Sequence, residues 1–342
     1  MKNDSFFMQN CLNLAKMGFP NNTPNPMVGC VIVYKGKIIG KGYHKKYGSN
    51  HAEVNAINNV KDKSLLKKST LYVNLEPCSH FGKTPPCSDT IIKNKIPRVV
   101  IGCIDSCSKV SGEGIKKMKS ADIEVTVGIL EDKCRKLNKR FFTYHEKSRP
   151  YIILKWAKSK DNFIAPINQI KPFWMTSNES KKRVHRWRSE ETGILVGTVT
   201  AEKDNPNLTV REVNGKNPIR IVIDRTLRLS NNLNLFNNKA KTIVFNESKN
   251  MKNGSIKYIK ISFKNLINNI LKELYKQNIQ SLIIEGGSKT LQSFIDNETW
   301  DEARIFTTNK ILKNGIDAPR IIGKTTYEEA INSDSLVILH QK

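Results

Sequence analysis

Several features that would place this chain in a special class of protein are missing from its sequence. No apolar run reaches the roughly 18 residues that a membrane-spanning helix needs, so no contact with a membrane is expected. The N-terminus soon turns polar and lacks the apolar region of a signal peptide. Seven cysteines in 342 residues do not form a disulfide scaffold, and their odd number fits a reducing compartment. We therefore expect a soluble, cytoplasmic protein.

The sequence also has few aromatic residues, and they do not alternate with Lys or Arg as they do in many surfaces that bind single-stranded nucleic acid. Basic residues, in contrast, are in excess, since 57 Lys and Arg against 31 Asp and Glu give a net charge of +26. Such a charge suits an RNA partner when it is clustered. Here the lysines are spread along the whole chain among many asparagines and isoleucines. We therefore read the charge as a property of composition and expect no nucleic-acid partner.

The length predicts about two domains, and the pattern of elements divides the chain at a linker over Glu146–Pro150. In the first part, Asp4 or Ser5 is expected to cap a first helix, which ends near Gly18. Strands are predicted at 27–34, 38–43, 70–75, 98–104 and 123–127, with helices starting near residues 51 and 87 and others near residues 115 and 131. This alternation predicts a three-layer α/β/α domain over residues 1–146.

A second α/β domain is predicted over residues 150–342, without any repeat of the first. Its strands are expected at 151–155, 194–196, 219–224, 242–245 and 281–285, and a helix is expected over Leu266–Gln277. The Asn-rich stretch Asn231–Asn238 is typical of a solvated loop.

Three residues of the first half have the types and spacing of zinc ligands. His51 opens a His-x-Glu motif, and Cys78 and Cys87 follow with eight residues between them. One imidazole and two thiolates fill three of the four tetrahedral positions of zinc and leave the fourth to water, as in catalytic sites. Glu53 can then act on that water as general base and acid, the role of the glutamate in zinc deaminases. Because a helix should begin at Cys87, its dipole is expected to favour the Cys87 thiolate.

Two structural alternatives compete with this catalytic interpretation. A closed zinc site would need a fourth nearby ligand, and His80 is the local candidate. Alternatively, the two cysteines are ordinary buried residues beside a chance His-x-Glu. His80 and Lys83 taken alone would be surface-loop residues, but their position between two ligands also suggests a functional role.

Four segments of the first half together resemble one enzyme family. They are Pro24–Val33 (PNPMVGCVIV), Gly42–His44 (GYH), His51–Ala56 (HAEVNA) and Leu75–Cys87 (LEPCSHFGKTPPC). They resemble the bifunctional riboflavin-biosynthesis deaminase/reductase family, which is marked by the eight-residue spacing of the two cysteines. The resemblance implies a cytidine-deaminase-like fold. It also implies that the pyrimidine and its ribose phosphate are bound by Asn25, His44, His80 and Lys83, with Asp105 and Gly112 in a further loop.

In the second half, a predicted strand at Ser281–Glu285 runs into Gly286 and Gly287 and then into a predicted helix. Glycines let the backbone approach a ligand, and the free N–H groups of a helix start bind phosphate, so a dinucleotide phosphate could bind here. An ordinary strand–turn–helix connection would look the same. The chain has no Gly-x-Gly-x-x-Gly fingerprint, which argues against a Rossmann domain.

Further segments are similar to the reductase domain of the same family, namely 150–155, 174–177, 197–211, 218–224 and 285–287. The resemblance therefore covers nearly the whole chain. It implies a dihydrofolate-reductase-like domain that binds NADPH and needs no metal. The cofactor side would comprise Ala157, Trp174, Thr200, Asp204, Gly287, Ser288, Lys289, Thr290, Leu291, Gln292 and Ser293. The substrate side would comprise Arg188, Leu208, Arg211 and Glu285.

The charged residues of the predicted reductase site suit the binding of a sugar phosphate and the transfer of a proton. Arg188 and Arg211 can hold a sugar phosphate through bidentate hydrogen bonds, and Asp204 can act as acid or base as hydride arrives. Lys155, on the opening strand, is a further candidate near the hydride acceptor. In isolation each of these residues could instead form a surface ion pair, and Trp174 could belong to the core.

Two loops depart from the family pattern. Ser159–Asn162 reads Ser-Lys-Asp-Asn where the family has Ser-Leu-Asp-Gly, and Asp105–Ser108 reads Asp-Ser-Cys-Ser where the family has Asp-Pro-Asn-Pro. Asn tolerates a left-handed backbone, so the first turn should survive. The second change removes an asparagine that could contact the phosphoribosyl group.

We therefore expect two successive steps of riboflavin synthesis. Zinc-dependent deamination of diaminohydroxyphosphoribosylaminopyrimidine would release ammonia, and NADPH would then reduce the ribosyl side chain to give the ribitylamino product. One alternative is a deaminase of tRNA or another nucleic acid, and another is a non-catalytic, zinc-stabilised RNA-binding protein. A homo-oligomer is expected from the family resemblance only.

Overall fold

The computed structural model describes residues 3–81, 85–107, 111–168 and 173–341. The chain forms two compact units that divide after Ser148. Among the described residues, none of the helices combines the length and the apolar character required to cross a membrane.

The first unit alternates strands and helices. Its helices are α1 (Asp4–Lys16), α2 (Ala52–Asn58), α3 (Cys87–Lys93), α4 (Glu113–Lys119), α5 (Glu131–Leu137) and α6 (Lys139–Lys147), with a 3-10 helix at Lys63–Lys68. Its strands are β1 (Gly29–Tyr34), β2 (Lys37–Tyr43), β3 (Thr70–Leu75), β4 (Arg98–Cys103) and β5 (Glu124–Val127). They form one sheet in the order β2-β1-β3-β4-β5, in which β3, β4 and β5 are parallel and β1 is antiparallel to both of its neighbours.

Both faces of this sheet are covered, because its central strands are apolar on both sides. Along β1, Cys30 and Ile32 pack on the face under α2, α3 and α4, whereas Val31 and Val33 pack on the face under α1, α5 and α6. A strand buried on both faces gives the continuous apolar run that the sequence shows here. The predicted three-layer α/β/α fold is therefore confirmed.

The ends of two helices differ from the prediction. Helix α1 is capped by Asn3, whose Oδ1 accepts a hydrogen bond from the backbone N–H of Phe6 at 3.0 Å, rather than by Asp4 or Ser5. Helix α6 continues to Lys147, so the predicted linker Glu146–Pro150 is helical in its first part. The helix ends at Ser148, which adopts a left-handed backbone (φ 52°) two residues before Pro150. Because proline disfavours helix at the residue before it, Arg149, the helix cannot continue through the rest of the predicted linker.

The second unit is a larger mixed sheet with helices on both faces. Its strands are β6 (Tyr151–Lys158), β7 (Phe163–Ala165), β8 (Gly193–Gly197), β9 (Ile219–Ile223), β10 (Thr242–Asn246), β11 (Met251–Asn253), β12 (Ile256–Lys260), β13 (Ser281–Ile284), β14 (Glu302–Thr308), β15 (Ile316–Asp317), β16 (Lys324–Ile331) and β17 (Asp334–His340). Its helices are α7 (Asn178–Glu190), α8 (Thr198–Asp204), α9 (Leu266–Lys276) and α10 (Ser288–Asp296), with a 3-10 helix at Asn234–Phe236.

The order of the strands fixes where a site can form. Within the described residues the main sheet runs β11-β12-β10-β9-β8-β13-β6-β14-β17-β16, and β7 pairs separately with β15. The neighbours β8, β13 and β6 are parallel, so their carboxyl ends lie at one edge of the sheet. Helices α9 and α10 pack on one face, and α7 and α8 pack on the other. Loops at such an edge commonly bind ligands in α/β folds.

Candidate active sites

The first unit brings His51, Cys78 and Cys87 together. His51 immediately precedes α2, Cys87 is the first residue of α3, and Cys78 lies in the loop after β3. The Nδ1 atom of His51 is 3.5 Å from Sγ of Cys78 and 3.3 Å from Sγ of Cys87. Across the described ranges these three residues are the one cluster of metal-ligating side chains. One imidazole nitrogen and two sulfurs are a donor set that fits Zn²⁺ with one position left open.

The hydrogen bonds within this cluster favour the thiolate form of one cysteine over the other. A hydrogen bond from the Cys87 thiol, assisted by His51, lowers the pKa of Cys78 to about 4. The backbone N–H of Cys87, at the start of α3, also donates to Sγ of Cys78 at 3.3 Å. The start of α3 therefore favours the Cys78 thiolate in the metal-free protein, and the expectation that the helix dipole favours the Cys87 thiolate stays a prediction for the zinc-bound protein. The preference for Cys78 is geometric, since the N–H group points at the neighbouring sulfur.

Glu53 lies in the first turn of α2, beside the cluster. Its side chain is buried, and within the described part of the chain its Oε2 atom has no hydrogen-bond partner. Burial raises its pKa to about 7, although the charge on His51 works in the opposite direction. A carboxyl group with such a pKa can take up and release a proton near neutral pH. Its unpartnered oxygen is available to a ligand of the site.

Asn25 and His44 form a short relay next to His51. The Nδ2 atom of Asn25 lies 3.1 Å from Nε2 of His44, and Nδ1 of His44 lies 3.2 Å from the carbonyl oxygen of Asn50. A carbonyl accepts only, so Nδ1 carries the proton and Nε2 accepts from the Asn25 amide. Burial lowers the pKa of His44, which keeps its ring neutral. The rings of His44 and His51 meet edge to face at 5.3 Å.

Two buried asparagines that the sequence analysis missed hold the Asn25 segment in place. Asn138 accepts from the N–H of Met27 at 2.7 Å and donates to its carbonyl oxygen at 2.9 Å. Asn74 donates to the same carbonyl at 3.0 Å and accepts from the N–H of Gly29 at 2.7 Å. These side chains replace the ladder bonds that a strand would give this segment. Nothing in their local sequence indicates such distant backbone partners.

The loop that contains Asp105 and Gly112 is fixed by Glu76, a third residue that the sequence analysis missed. The buried carboxylate of Glu76 accepts four backbone N–H groups at 3.0 to 3.3 Å, from Asp105, Gly112, Gly114 and Ile115. Asp105 is itself buried, which raises its pKa to about 6, and its Oδ1 accepts from the N–H of Cys107. Glu76 is separated from Cys78 by a single residue. The metal-ligand loop and this further loop are therefore fastened together.

The remaining residues predicted for this site are placed differently. His80 is exposed and does not belong to the cluster of ligands, so the described residues do not form a closed zinc site through it. Its neighbour Phe81 is 77% exposed. Lys83 lies outside the described residues.

In the second unit, Arg188, Glu285 and Lys155 meet at the carboxyl end of β13, beside the middle of β6. The guanidinium of Arg188, on α7, donates to both carboxylate oxygens of Glu285, from Nη2 at 2.6 Å and from Nε at 3.1 Å. Burial alone would raise the pKa of Glu285, but the charges of Arg188 and Lys155 hold it at about 2. Burial lowers the pKa of Lys155, and Glu285 opposes that effect. These residues form a compact charged group with two cations and one anion.

Arg211 and Leu208 lie on a loop next to this group. Leu208 is buried with a left-handed backbone (φ 51°), and Arg211 is exposed. Arg188 and Arg211 each donate to the carbonyl oxygen of Thr209 at 3.4 Å. The structure thus brings both arginines of the predicted substrate side together with Glu285.

The glycines before α10 bring two loops close together. A Cβ atom on Gly286 would lie 2.7 Å from Cα of Val196, and one on Gly197 would lie 2.5 Å from Oγ1 of Thr290, so a side chain at either position would force the loops apart. Gly287 has a positive φ (44°), which favours glycine, and immediately precedes α10. The starts of α8 and α10 consequently lie side by side, and Thr200 is within reach of Gly287. Their free N–H groups and the missing side chains fit an anionic dinucleotide.

The other residues predicted for the cofactor have mixed positions. Trp174 is 61% exposed, which excludes a core role, and its carbonyl oxygen accepts from Nζ of Lys310. Ala157 lies near the end of β6, and Asp204 is the last residue of α8. Leu291 is buried in the core, so its side chain faces away from any ligand. Ser288, Lys289, Gln292 and Ser293 lie in the first turns of α10 with Thr290.

The altered turn at Ser159–Asn162 keeps its shape. Asn162 has φ 68°, the left-handed conformation that the family's glycine would adopt easily, and its N–H donates to the carbonyl of Ser159 at 3.1 Å. Asp161 accepts from the N–H groups of Leu312 and Lys313. The expectation that asparagine preserves this turn is confirmed.

Comparison with known proteins identifies two family regions in the chain. The family described as cytidine and deoxycytidylate deaminase zinc-binding region matches residues 1–103, and the family described as RibD C-terminal domain matches residues 150–335. The first match includes His51, Cys78 and Cys87, and the second includes Lys155, Arg188 and Glu285.

Relatives of known function align over almost the whole chain. The riboflavin biosynthesis protein RibD of Aquifex aeolicus is 43% identical over 96% of this chain and 93% of the relative. A solved structure from Thermotoga maritima, described as a diaminohydroxyphosphoribosylaminopyrimidine deaminase/5-amino-6-(5-phosphoribosylamino)uracil reductase, is 37% identical, covers 99% of both chains and has a TM-score of 0.89. The RibD structure of Acinetobacter baumannii is 29% identical over 99% of both chains, with a TM-score of 0.90.

Proposed function

This chain belongs to the RibD family of riboflavin-biosynthesis proteins, and from that membership we propose which of its residues perform each step. It is a bifunctional enzyme with a zinc-dependent pyrimidine deaminase in its first half and an NADPH-dependent, dihydrofolate-reductase-like domain in its second. The substrate is a small pyrimidine ribosyl phosphate. The proposal concerns the residues, and it rests on one observation, the position of Glu53 beside three converging zinc ligands.

In the deaminase site, His51, Cys78 and Cys87 would hold the zinc ion. When bound, zinc activates water for attack on the ring carbon that carries the exocyclic amine. Glu53 would accept a proton at its unpartnered oxygen and deliver it to the departing ammonia. A pKa near neutrality supports both halves of that transfer.

Recognition of the pyrimidine in this site would depend on the Asn25–His44 relay. Because the Asn25 amide donates to His44, its Oδ1 faces outward from that bond as an acceptor for a ring or amine N–H. Asp105 and Gly112 would contact the ribose phosphate end, and His80 and Lys83 would complete that side from the ligand loop.

In the reductase site, the turn before α10 together with Trp174, Thr200, Ala157 and Asp204 would hold the cofactor. When bound, NADPH supplies the hydride that reduces the ribosyl side chain. Asp204, or Lys155 with its lowered pKa, would provide the proton that accompanies it.

The substrate phosphate would bind to Arg211 and Arg188. Arg211 is exposed and has no carboxylate bonded to its guanidinium among the contacts recorded for the described residues, so it can accept an anion. Glu285 neutralises Arg188 and fixes its orientation. The Glu285 side chain would border the sugar, and Leu208, whose side chain is buried, would contribute through its backbone.

We also propose that the enzyme works in the cytoplasm, without a nucleic-acid partner and as a homo-oligomer. All seven cysteines are unpaired, which supports a reducing compartment. The oligomer is carried over from the family alone.

Two assays on the purified, zinc-loaded protein test the proposed function. Ammonia release is measured with the diaminopyrimidinone ribosyl phosphate, and NADPH oxidation is measured with its deaminated product. We expect both activities in the same preparation. NADPH oxidation without ammonia release, or the reverse, would show that one of the two residue sets has been assigned a reaction it does not perform.

A further inference from the structure

His185 lies inside the charged group of the second unit but touches it in an unusual way. It is buried on α7, one helical turn before Arg188. Its Nδ1 atom is 3.0 Å from the backbone nitrogen of Arg211. That nitrogen always carries a hydrogen, so the ring must accept the bond, and Nδ1 is unprotonated. The ring is therefore neutral with its proton on Nε2.

The chain segment that donates this hydrogen bond has a strained backbone. Asn205 (φ 39°) and the buried Leu208 (φ 51°) both adopt left-handed backbone, which is unfavourable for a bulky residue such as leucine. Such a conformation persists only where surrounding contacts fix it. At its far end four contacts hold it: the His185 bond to the Arg211 N–H, the 2.8 Å bond between the N–H of Val210 and Oδ1 of Asn217, the Arg188 bond to the Thr209 carbonyl, and the 2.7 Å ion pair of Lys181 with Glu212. Of these, the His185 bond is the one made to the backbone of Arg211 itself.

The same bond is made by the backbone of Arg211, one of two neighbouring cations. Arg188 is fixed to Glu285, and Arg211 follows the loop that His185 holds. Both guanidiniums are directed to the carbonyl of Thr209, whose partial negative charge bridges them. Without a fixed loop, like charges would move Arg211 away from Arg188.

We infer that His185 is a positioning residue for substrate phosphate, which acts by holding Arg211 beside Arg188 through its neutral Nδ1 atom. The inference rests on the proposed function, because it takes these arginines as the phosphate site. It deepens that function by naming the group that orders the site before substrate arrives. Preorganisation of this kind reduces the entropy lost on binding.

The charges around His185 keep it in the required protonation state. They come from its own helix, from the Arg211 loop and from the residue after β13, and comprise Arg188, Arg211, Glu212 and Glu285. Lys181 and Lys155 act on these groups in turn, since Lys181 pairs with Glu212 and the charge of Lys155 lowers the pKa of Glu285. Burial and the two arginines lower the pKa of His185 to about 4, against the opposing effect of the glutamates. The acceptor state therefore persists well below neutral pH, and protonation near pH 4 would turn Nδ1 into a donor facing another donor.

Two substitutions distinguish the role of the Nδ1 hydrogen-bond acceptor from the role of the volume that the ring fills. In His185→Asn, the side-chain oxygen can take the place of Nδ1, whereas His185→Leu fills space without an acceptor. We expect His185→Leu to raise the KM for the deaminated substrate by about tenfold, the effect of one lost hydrogen bond that orders a binding loop. The kcat should change by less than about twofold, because uniform binding is lost rather than transition-state binding. His185→Asn should stay within about threefold of the wild type in KM.

The pH profile provides a signature that a packing role would not give. The KM of the wild type should rise steeply as pH falls toward 4, and this rise should be absent in His185→Asn. Titration of the substrate phosphate and of the acidic neighbours Glu212 and Glu285 is common to both proteins and cancels in the comparison. The Kd for NADPH, measured by titration of intrinsic fluorescence, checks that the second unit is folded in each variant.

Each outcome decides the inference. A tenfold rise in KM for His185→Leu with unchanged NADPH binding and a rescued His185→Asn supports it. Equal KM values in wild type and His185→Leu overturn it, as do equal defects in both variants with NADPH binding intact. If the wild type itself oxidises no NADPH with this substrate, the proposed function fails and the inference fails with it.

Discussion

Two buried carboxylates of this chain have opposite protonation behaviour, and their neighbours explain why. Burial raises the pKa of Glu53 to about 7, since no positive group bonds to its free oxygen. Glu285 is also buried, but Arg188 and Lys155 hold its pKa at about 2. Glu53 can therefore exchange a proton near neutral pH, whereas Glu285 stays charged. Environments that separate the pKa values of similar groups assign their roles.

Replacement of Glu53 by glutamine should remove proton transfer and leave the ligands intact. We expect ammonia release to fall by about 10²- to 10⁴-fold, the usual contribution of general acid–base catalysis. Zinc content, measured by atomic spectroscopy, should be unchanged because glutamine keeps the shape of the side chain. Glu131→Gln on exposed α5 is a matched control. Loss of zinc together with activity would make Glu53 a structural residue instead.

Glu285 makes the free energy of unfolding of the second unit depend on pH in the acid range. Its pKa is about 2 in the folded chain against a reference of 4.5, so the unfolded chain binds more protons between these values. The contribution, about 3 kcal/mol, is complete above pH 4.5 and is lost as pH falls toward 2. Glu285→Gln should lower stability at neutral pH, because Arg188 and Lys155 lose their partner, and should flatten this acid dependence.

The measurement for Glu285 uses a natural probe. All four tryptophans, at positions 156, 174, 187 and 300, lie in the second unit. Urea unfolding followed by tryptophan fluorescence at several pH values therefore reports on that unit alone. Glu328→Gln, an exposed position on β16, is the control. An unchanged pH dependence in Glu285→Gln would contradict the prediction.

The residues that the sequence could and could not reveal differ in their type of partner. His51, Cys78 and Cys87 were found because zinc restricts both residue type and spacing. His185 and Glu76 were missed because their partners are backbone N–H groups 26 to 39 residues away along the chain. Every residue presents the same N–H, so such partners leave no pattern in the sequence. Only the folded backbone brings them together.

At the scale of elements, apolar periodicity predicted the elements that form the core and missed elements with few buried apolar residues. Strands β1, β3 and β4 and helix α9 appear close to their predicted bounds, because their buried residues are mostly apolar. Helix α7 was missed, since only Val184 and Trp187 are large apolar residues on its buried face and most other positions are charged or polar. The hairpin of β16 and β17 was missed for the same reason, as β16 is almost fully exposed. Tertiary contacts, such as Asp334 accepting from Ser177 and Ser180, stabilise α7 instead.

Glu76 connects three elements, and its replacement should affect binding more than metal retention. In Glu76→Gln one oxygen is replaced by an NH₂ group, which opposes the N–H donors of the loop and of α4. We expect the KM for ammonia release to rise by about tenfold through movement of Asp105 and Gly112, with zinc content unchanged. Glu76→Ala should give a larger defect and lower thermal stability. Zinc loss in Glu76→Gln with an unaltered KM would indicate that the hydrogen bonds of Glu76 support the zinc ligands and not the substrate loop.

At the scale of the whole molecule, each activity lies in a unit with its own core. The zinc ligands lie on a sheet packed between two layers of helices, and the reductase residues lie on a separate sheet with separate apolar clusters. The net charge of +26 is spread over both units and is partly neutralised in local ion pairs such as Arg98–Asp4 and Arg183–Glu329. Such a distribution attracts small anions to either site.

Removal of zinc should therefore separate the two activities. Treatment with a zinc chelator should abolish ammonia release, because three ligands converge on one position in the first unit. NADPH oxidation with the deaminated substrate should stay within about twofold, since sites with no shared partners behave additively. Tryptophan fluorescence should not change, as every tryptophan is in the second unit. Added zinc should restore ammonia release. Parallel loss and recovery of both activities would instead show that the metal stabilises the reductase, and the two units would then have to be treated as one thermodynamic system.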